Sequence, residues 1–326
     1  MTRTAALVAL HAAVALFGFA ALFGKWLALS PAAIVLGRTV VAAATLAIVL
    51  AFQKAAASPT AVGPLPAPPR GRLNTEARAG VAAAGRPAEL NPGRHEAHRT
   101  TARANYIGLA LNGALLAVHW VTFFAAVQVA TVAIALLGFA SFPVFVLALE
   151  SIERRRLPNV AESGAVLVVT AGLALLVPEL RWSNTIVQGL AWGVASGLTF
   201  ALLAVRNRRA VERHGAVALA LWQNAFAAAC LLPWVLLQGG ASVPSLRDAM
   251  LVLALGIVCT ALAHTLFIAS MRRVSAHAAS VVTVLEPVYG IALAALLLGE
   301  RPDVRTLAGA ALILAAALVA TRQAAR

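Results

Sequence analysis

Glu286 stands directly before Pro287 in the middle of a long apolar run, and no other pair of residues in the chain carries as much potential chemistry. In a membrane span, a charge at the bilayer centre costs about 2.5–3.5 kcal/mol on insertion scales, so such a residue faces a cavity or a partner. The proline removes a backbone donor and frees a carbonyl about one turn earlier, which breaks the helix at that point. Glu286 therefore reads as a protonatable or substrate-contacting carboxylate in a broken helix, or as a packing anchor bonded to a neighbouring span. Phe142-Pro143 repeats the pattern without the charge.

Other polar and aromatic residues fall at similar depth in apolar runs. His119 and Trp120, with Phe123 one turn on, give one span an aromatic, titratable face. His264, the trio Trp222, Gln223 and Asn224, and Tyr289 add to it from other spans, with Asn112 and Trp192 as further polar or aromatic positions. Aromatic walls with few orienting polar groups suit a mostly apolar or zwitterionic small molecule. Each residue taken alone also reads as an interhelical hydrogen bond or a packing contact.

Enzyme motifs are missing from the sequence. It has no Gly-rich loop ending in Lys-Ser/Thr, so ATP-driven work would need another subunit, and no His-Glu-x-x-His helix; the seven histidines are scattered. The expectation is a chain that is not an enzyme and carries no cofactor. Cys230 and Cys259 both lie inside apolar runs, which fits small apolar fillers and points to neither a disulfide nor a metal site.

These residues must be positioned by transmembrane helices. Ten stretches of about twenty apolar residues, the length of one helical crossing, run over 5–27, 31–52, 106–127, 131–149, 161–177, 186–205, 216–237, 250–270, 276–298 and 304–321. Hydrophobic residues make up 61% of the chain and charged residues 12%, whereas a soluble domain has about a quarter charged. Continuous runs, without the two-residue alternation of barrel strands, leave helices as the way to satisfy the backbone in hydrocarbon. Small residues such as those in 164–172 and 309–320 allow close helix packing.

A net charge of +14 resembles a nucleic-acid footprint, but the charges alternate between loops and argue against a nucleic-acid partner. All but six of the 26 Lys and Arg fall on one side; the six are Lys25, Arg38, Arg181, Arg247, Arg301 and Arg305. The positive-inside rule then puts both termini in the cytoplasm. The first apolar run is longer than the 7–15 residues of a signal-peptide core, and Lys25-Trp26 follows it where small residues would mark cleavage, so an uncleaved span is expected. Residues 53–104 hold Pro59, Pro64, Pro66, Pro68, Pro69, Pro87 and Pro92 among many Arg and Ala, and read as a disordered cytoplasmic linker.

The chain also reads as a duplication. Phe142-Pro143-Val144-Phe145 answers Glu286-Pro287-Val288-Tyr289, Arg154 to Pro158 answers Glu300 to Pro302, and 164–176 answers 309–319. Five spans per copy is an odd number, so the copies lie inverted across the bilayer: 1–52 with 105–178, then 186–321. Inverted halves can close one face while opening the other around a midplane site.

The stretch Ser275-Ala276-His277-Ala278-Ala279, through Leu285-Glu286-Pro287-Val288-Tyr289, to Leu298-Gly299-Glu300-Arg301-Pro302 and Ala308-Gly309-Ala310 resembles the second repeat of EamA-type transporters, in the drug/metabolite transporter superfamily. Gly24-Lys25-Trp26, Pro31 to Arg38 and Val132 to Val146 are similar to the first repeat. The resemblance covers the chain apart from the linker. It implies an all-α polytopic fold of ten transmembrane helices in two inverted five-helix repeats, in a bacterial inner membrane, with export of small metabolites. The first copy departs from it at Phe142, where the second has Glu286, and at Arg156, near the place of Glu300. For Arg38 the resemblance brings in a salt bridge or a substrate-carboxylate contact. Lys25 reads as a cation snorkelling to the interface, and Glu300 to Arg305 as a surface turn with Pro302 near a helix start.

The expected function is a secondary transporter exporting small organic metabolites, amino acids or amphipathic compounds, by alternating access. Coupling to protons through Glu286, His119 or His264 and uniport down a gradient both remain open. The rival readings are a non-transporting membrane scaffold or sensor, and a lipid-carrier flippase with a lateral opening. Oligomeric state does not follow from the residues.

Overall fold

Apolar runs of this length must satisfy their backbone groups internally, and every regular element among the described residues is a helix. The computed structural model describes residues 1–57, 92–153, 155, 157–177, 179–239, 244–274, 279 and 282–323. The helices are α1 (Arg3–Trp26), α2 (Pro31–Ala57), α3 (Pro92–Val129), α4 (Val132–Phe139), α5 (Phe142–Glu153), α6 (Val160–Leu176), α7 (Thr185–His214), α8 (Ala216–Leu237), α9 (Leu246–Gly256), α10 (Ala263–Ser270), α11 (Glu286–Leu297) and α12 (Val304–Gln323). A π-helical segment, Ile257–Leu262, joins α9 to α10.

Among the described residues, seven helical stretches are long and apolar enough to cross a bilayer: Arg3–Trp26, Pro31–Ala56, Tyr106–Val129, Val132–Glu153, Thr185–His214, Ala216–Leu237 and Leu246–Ser270. Three shorter apolar helices, Val166–Leu176, Glu286–Leu297 and Val304–Ala316, accompany them. Val8, Ile48, Leu167, Leu253 and Leu296 are exposed on the outside. In water a surface of that kind would drive association; in lipid it is the solvated face of a multi-pass membrane protein.

Residues 1–50 and 109–326 form one compact unit, and 51–108 a second. The second is described only at its helical edges, where α2 runs to Ala57 and α3 begins at Pro92. Helix thus extends into both ends of the 53–104 stretch expected as a linker, because Ala55, Ala56 and Ala57, and the alanines before Tyr106, favour continuation of the flanking spans. Residues 58–91, and the 275–278 part of the resemblance, lie outside the described residues.

Two of the expected spans are interrupted directly before Phe142-Pro143 and Glu286-Pro287. The 131–149 run breaks at Ala140–Ser141, where the Ser141 hydroxyl donates to the Gly138 carbonyl at 2.7 Å and the next helix starts at Phe142. Glu286 begins α11 after a turn at Val284–Leu285. Pro143 and Pro287 are each the second residue of the new helix, a position whose N–H would have no intrahelical acceptor in any case.

Close helix crossings are set by paired glycines. A Cβ built on Gly193 of α7 would lie 2.9 Å from the Ala135 carbonyl oxygen and 3.0 Å from Gly138 Cα on α4. A Cβ on Gly18 of α1 would lie 2.9 Å from the Gly290 nitrogen on α11. Only hydrogen fits at these crossings.

One end of the bundle is laced by long-range bonds. Lys25 Nζ donates to the Ala130 carbonyl at 2.5 Å, Gln128 Nε2 to the Leu29 carbonyl at 2.8 Å, and Arg247 Nη1 to the Trp26 carbonyl at 3.1 Å. The Glu300 carboxylate accepts from the first N–H of α4, at Val132, at 3.0 Å. The expected surface turn at 300–305 thus also ties a neighbouring helix start, where a carboxylate complements the helix dipole. Asp303 accepts from the Thr306 N–H at 2.7 Å, and Thr306, through its hydroxyl and N–H, holds the Asp303 carboxyl below its ordinary value.

The glycine crossings lead to a stability test. Gly193→Leu should abolish recovery of monodisperse protein in detergent, since overpacking of a tight contact costs about 1–3 kcal/mol or more. Gly164→Leu on α6, where a Cβ meets nothing within 4 Å, should be recovered like wild type by size-exclusion chromatography.

Candidate substrate cavity

The site is organised around Arg38, which α2 carries into the interior at 2% exposure. An uncompensated buried cation would be costly, so its donors and its flat face need partners. The π-helical segment supplies two of them. Widening the backbone there turns the Cys259 carbonyl and the Thr260 side chain inward: Arg38 Nε donates to Thr260 Oγ1 at 2.9 Å and Nη2 to the Cys259 carbonyl at 3.3 Å. Thr260 Oγ1 in turn donates to the Leu255 carbonyl at 2.8 Å, five residues back, the spacing of a π turn. The guanidinium carbon lies 3.9 Å from the Trp120 ring centroid and 5.5 Å from that of Phe124, a desolvated cation–π arrangement worth about 2 kcal/mol.

Around Arg38 the bundle leaves a small cavity. Its walls are Phe17 and Ala20 of α1, Leu116, His119, Trp120 and Phe123 of α3, Phe139 of α4, Phe200 of α7, His264 of α10 and Glu286 of α11. The space open to the centre of a water molecule is about 30 Å³, room for about two waters. Glu286 is 5% exposed. It faces this space from the first residue of its helix, where the helix dipole favours a negative charge.

Each histidine is held by a neighbour. His119 Nδ1 is 2.8 Å from Ser196 Oγ and 3.1 Å from the Ser196 carbonyl, and its ring lies 4.9 Å from that of Phe200. A carbonyl can only accept, so the Ser196 carbonyl contact calls for a proton on Nδ1. His264 packs edge-on against Trp120 at 5.6 Å, and its Nε2 is 2.9 Å from Gln223 Oε1.

Behind His264 a chain of buried amides runs toward the arginine-rich end of α7. Gln223 Nε2 donates to Asn207 Oδ1, Asn112 Nδ2 donates to the same oxygen at 3.4 Å, and Arg206 Nε donates to Asn112 Oδ1 at 2.5 Å. Asn112, Asn207, Gln223 and His264 come from four helices and are each at most 2% exposed.

Of the residues singled out in sequence, Arg38, His119, Trp120, Phe123, His264 and Glu286 are brought together around one cavity. Gln223 stands one layer back, against His264. Asn224 is buried but donates to the Ala220 carbonyl of its own helix at 2.8 Å. Trp222 is 40% exposed and packs near Phe226, because neighbours on a helix point about 100° apart and Gln223 takes the inward direction. Tyr289 packs beside Gly18 and is not part of the cavity wall.

Sequence reasoning missed Phe17, Phe139 and Phe200, which are indistinguishable from core residues in apolar runs, and Thr260, whose role depends on the π turn. Ser196 was hidden in a small-residue stretch, and Asn207 in a cluster of arginines read as a loop.

The sequence profile of the EamA-like transporter family matches residues 187–322. An uncharacterized transporter of Archaeoglobus fulgidus is 28% identical over 67% of this chain and 76% of its own length. The uncharacterized transporter YxxF of Bacillus subtilis is 26% identical over 62% and 66%, and the uncharacterized inner membrane transporter YicL of Salmonella typhimurium 24% identical over 54% and 60%. A protein of known crystal structure superposes over 100% of both chains with a TM-score of 0.63 at 18% identity, a likeness of fold.

The amide chain makes Gln223 and His264 energetically dependent on each other. Gln223→Leu strands His264 and removes one of the two donors to Asn207, and should lower stability by about 1–3 kcal/mol. In a double-mutant cycle with His264→Phe, measured by thermal unfolding in detergent, the two losses should fall short of additivity by at least about 0.5 kcal/mol.

Proposed function

We propose, from the premise that this chain is an EamA-type protein through residues 187–322, that it is a secondary transporter moving small organic metabolites by alternating access. The observation that carries this reading is the cavity itself. Arg38, His119, His264 and Glu286 converge from four different helices on a space walled by Phe17, Phe139 and Phe200, inside a bundle whose outer face is apolar. Intramembrane ionisable groups around a shared space mark a substrate or ion path.

The architecture proposed is ten crossings in two inverted five-helix repeats, 1–52 with 105–178 and 186–321. Helix pairing supports it. The first helix of each proposed repeat crosses the broken fourth span of the other: α1 meets α11 at Gly18 and Gly290, and α7 meets α4 at Gly193 and Gly138. The two fifth spans, α6 and α12, pair with each other at Gly172 and Gly309. Exchange of equivalent contacts between halves is what a two-fold pseudo-axis in the membrane plane produces. With export as the direction and a bacterial inner membrane as the location, both termini lie in the cytoplasm. A green fluorescent protein fused after Arg326 should fluoresce, while alkaline phosphatase fused there should be inactive; the reverse pattern would invert the topology.

The function is tested in spent medium. Cells expressing wild type, Glu286→Gln or empty vector, with membrane levels of both proteins matched, are compared by mass spectrometry. Wild type should enrich at least one metabolite several-fold over both controls. Identical media, together with identical uptake of labelled metabolites, would replace the transporter with a membrane scaffold or sensor.

A further inference from the structure

We infer that an anionic phospholipid docks at the turn between α5 and α6, with its phosphate on Arg155 and its acyl chain along the last turns of α5. This site lies apart from the substrate cavity and stands whether or not the chain transports.

The turn holds a pocket of about 390 Å³ lined by Ala148, Ser151, Ile152, Arg155, Leu157 and Pro158. Ala148, Ser151 and Ile152 share one face of α5, and Arg155 stands just past the helix end. Ala148 lies about 6 Å deeper along α5 than Ile152, so the lining passes from apolar to cationic toward the helix end. Ile152 and Leu157 are exposed on it, as is Val160 at the start of α6. An apolar wall ended by a cation follows the polarity order of a lipid, acyl chain and then phosphate.

Arg155 is the one non-glycine residue with positive φ among the described residues, at 50°. Its N–H donates to the Ile152 carbonyl at 3.1 Å at the end of the helix, a place where glycine or asparagine takes the left-handed conformation readily. Glycine would serve that backbone better, so what arginine adds is its side chain. The guanidinium is exposed and has no hydrogen bond or ion pair with any described residue. Glu153, two residues earlier, is taken by Arg209 of α7, and neither Glu150 nor Glu153 lines the pocket. Positive charge is in excess at this end: 154–156 is a run of three arginines, and Arg206, Arg208, Arg209 and Arg213 lie in the last turns of α7. Basic pockets between spans at a membrane surface take anionic headgroups.

Ser151 adds a second polar group to the same lining. It is 5% exposed, and its buried hydroxyl has no partner among the described residues. Thr45, Thr122, Thr170 and Thr199 each donate to the carbonyl four residues back, and Ser151 does not. A buried hydroxyl left unpaired is costly, and an oxygen of the phosphate or of a glycerol ester removes that cost where a hydrocarbon chain alone would not.

The test is lipid retention by purified full-length protein. Protein in neutral detergent is mixed with equal amounts of dioleoylphosphatidylglycerol and dioleoylphosphatidylcholine, which share their chains, and bound lipid is counted by native mass spectrometry. Wild type should retain one phosphatidylglycerol with at least about fivefold preference. Arg155→Gly, and Arg155→Asn as a second variant that tolerates the left-handed backbone, should elute as folded protein, unfold no lower than wild type without lipid, and bring the preference below about twofold. Ser151→Ala should also unfold no lower than wild type without lipid, and should bind phosphatidylglycerol several-fold more weakly. Arg181→Gln, a charge removed beyond the far end of α6, should keep the wild-type preference; an equal loss there would reduce the effect to net charge and overturn the inference. Equal retention of the two lipids by wild type, a preference that survives in the Arg155 variants, or unchanged binding by Ser151→Ala overturns it as well. So does displacement of phosphatidylglycerol by an equal concentration of sn-glycerol 3-phosphate, which would make this a site for a free anion.

Discussion

A guanidinium buried in a membrane bundle is the constraint around which the rest of this structure is arranged. Arg38 cannot sit at 2% exposure without acceptors, and an α-helix has none to spare, since each of its carbonyls is taken by an N–H four residues on. The chain meets that demand by widening α9 into a π turn over Ile257–Leu262, which releases the Cys259 carbonyl and aims Thr260 inward. Trp120 then packs on the remaining face, which fixes the rotation of α3 and with it the inward direction of His119 and Phe123. Removing one partner from a buried charge costs about 3–5 kcal/mol, so α2, α3 and the π segment are held to one mutual arrangement.

How much of this the sequence disclosed depends on the range of the physics involved. Apolar runs and the bilayer thickness are local matters, so the helices and the multi-pass character could be read directly. A charge inside such a run has few innocent explanations, and for that reason Arg38, Glu286, His119 and His264 stood out and are found around one space. Aromatic character alone does not tell an inward side chain from an exposed one, as at Trp222, or from one packed into the core away from the cavity, as at Tyr289. Phe139 and Phe200 lay beyond reach for the converse reason: a cavity phenylalanine and a core phenylalanine have the same neighbours in sequence. Thr260 acquires its role from a five-residue backbone spacing that no side-chain pattern announces.

The glycine crossings and the aromatic cage are two parts of one solution. Where Gly138 meets Gly193, backbones approach within the reach of a single hydrogen atom, and α4 is held hard against α7. Phe139, the next residue along, is thereby set among Phe142 and Phe200, with ring centroids 5.3 Å apart in each pairing. Small residues at the crossing thus deliver large ones to the cavity wall. The break at Ala140–Ser141 then lets the chain restart at Phe142 and place a second ring on the same cluster, where an unbroken helix would turn it about 100° per residue away.

Along α3, Asn112, His119 and the Ala130 carbonyl just past its end mark three levels, separated by about 10 Å and 16 Å at 1.5 Å rise per residue. The first belongs to the amide chain that Arg206 caps, the second to the cavity, and the third to the Lys25 contact at the laced end. The two ends are tied by different chemistry. At the laced end charged or amide side chains bond backbone groups next to helix ends, some of them exposed, where water can replace the partner at a cost near zero. At the other end amides bond each other in a buried layer, where each lost partner costs about 1–3 kcal/mol. His264 is the member of the buried amide layer that also faces the cavity. Its imidazole touches Trp120 on one side and Gln223 on the other.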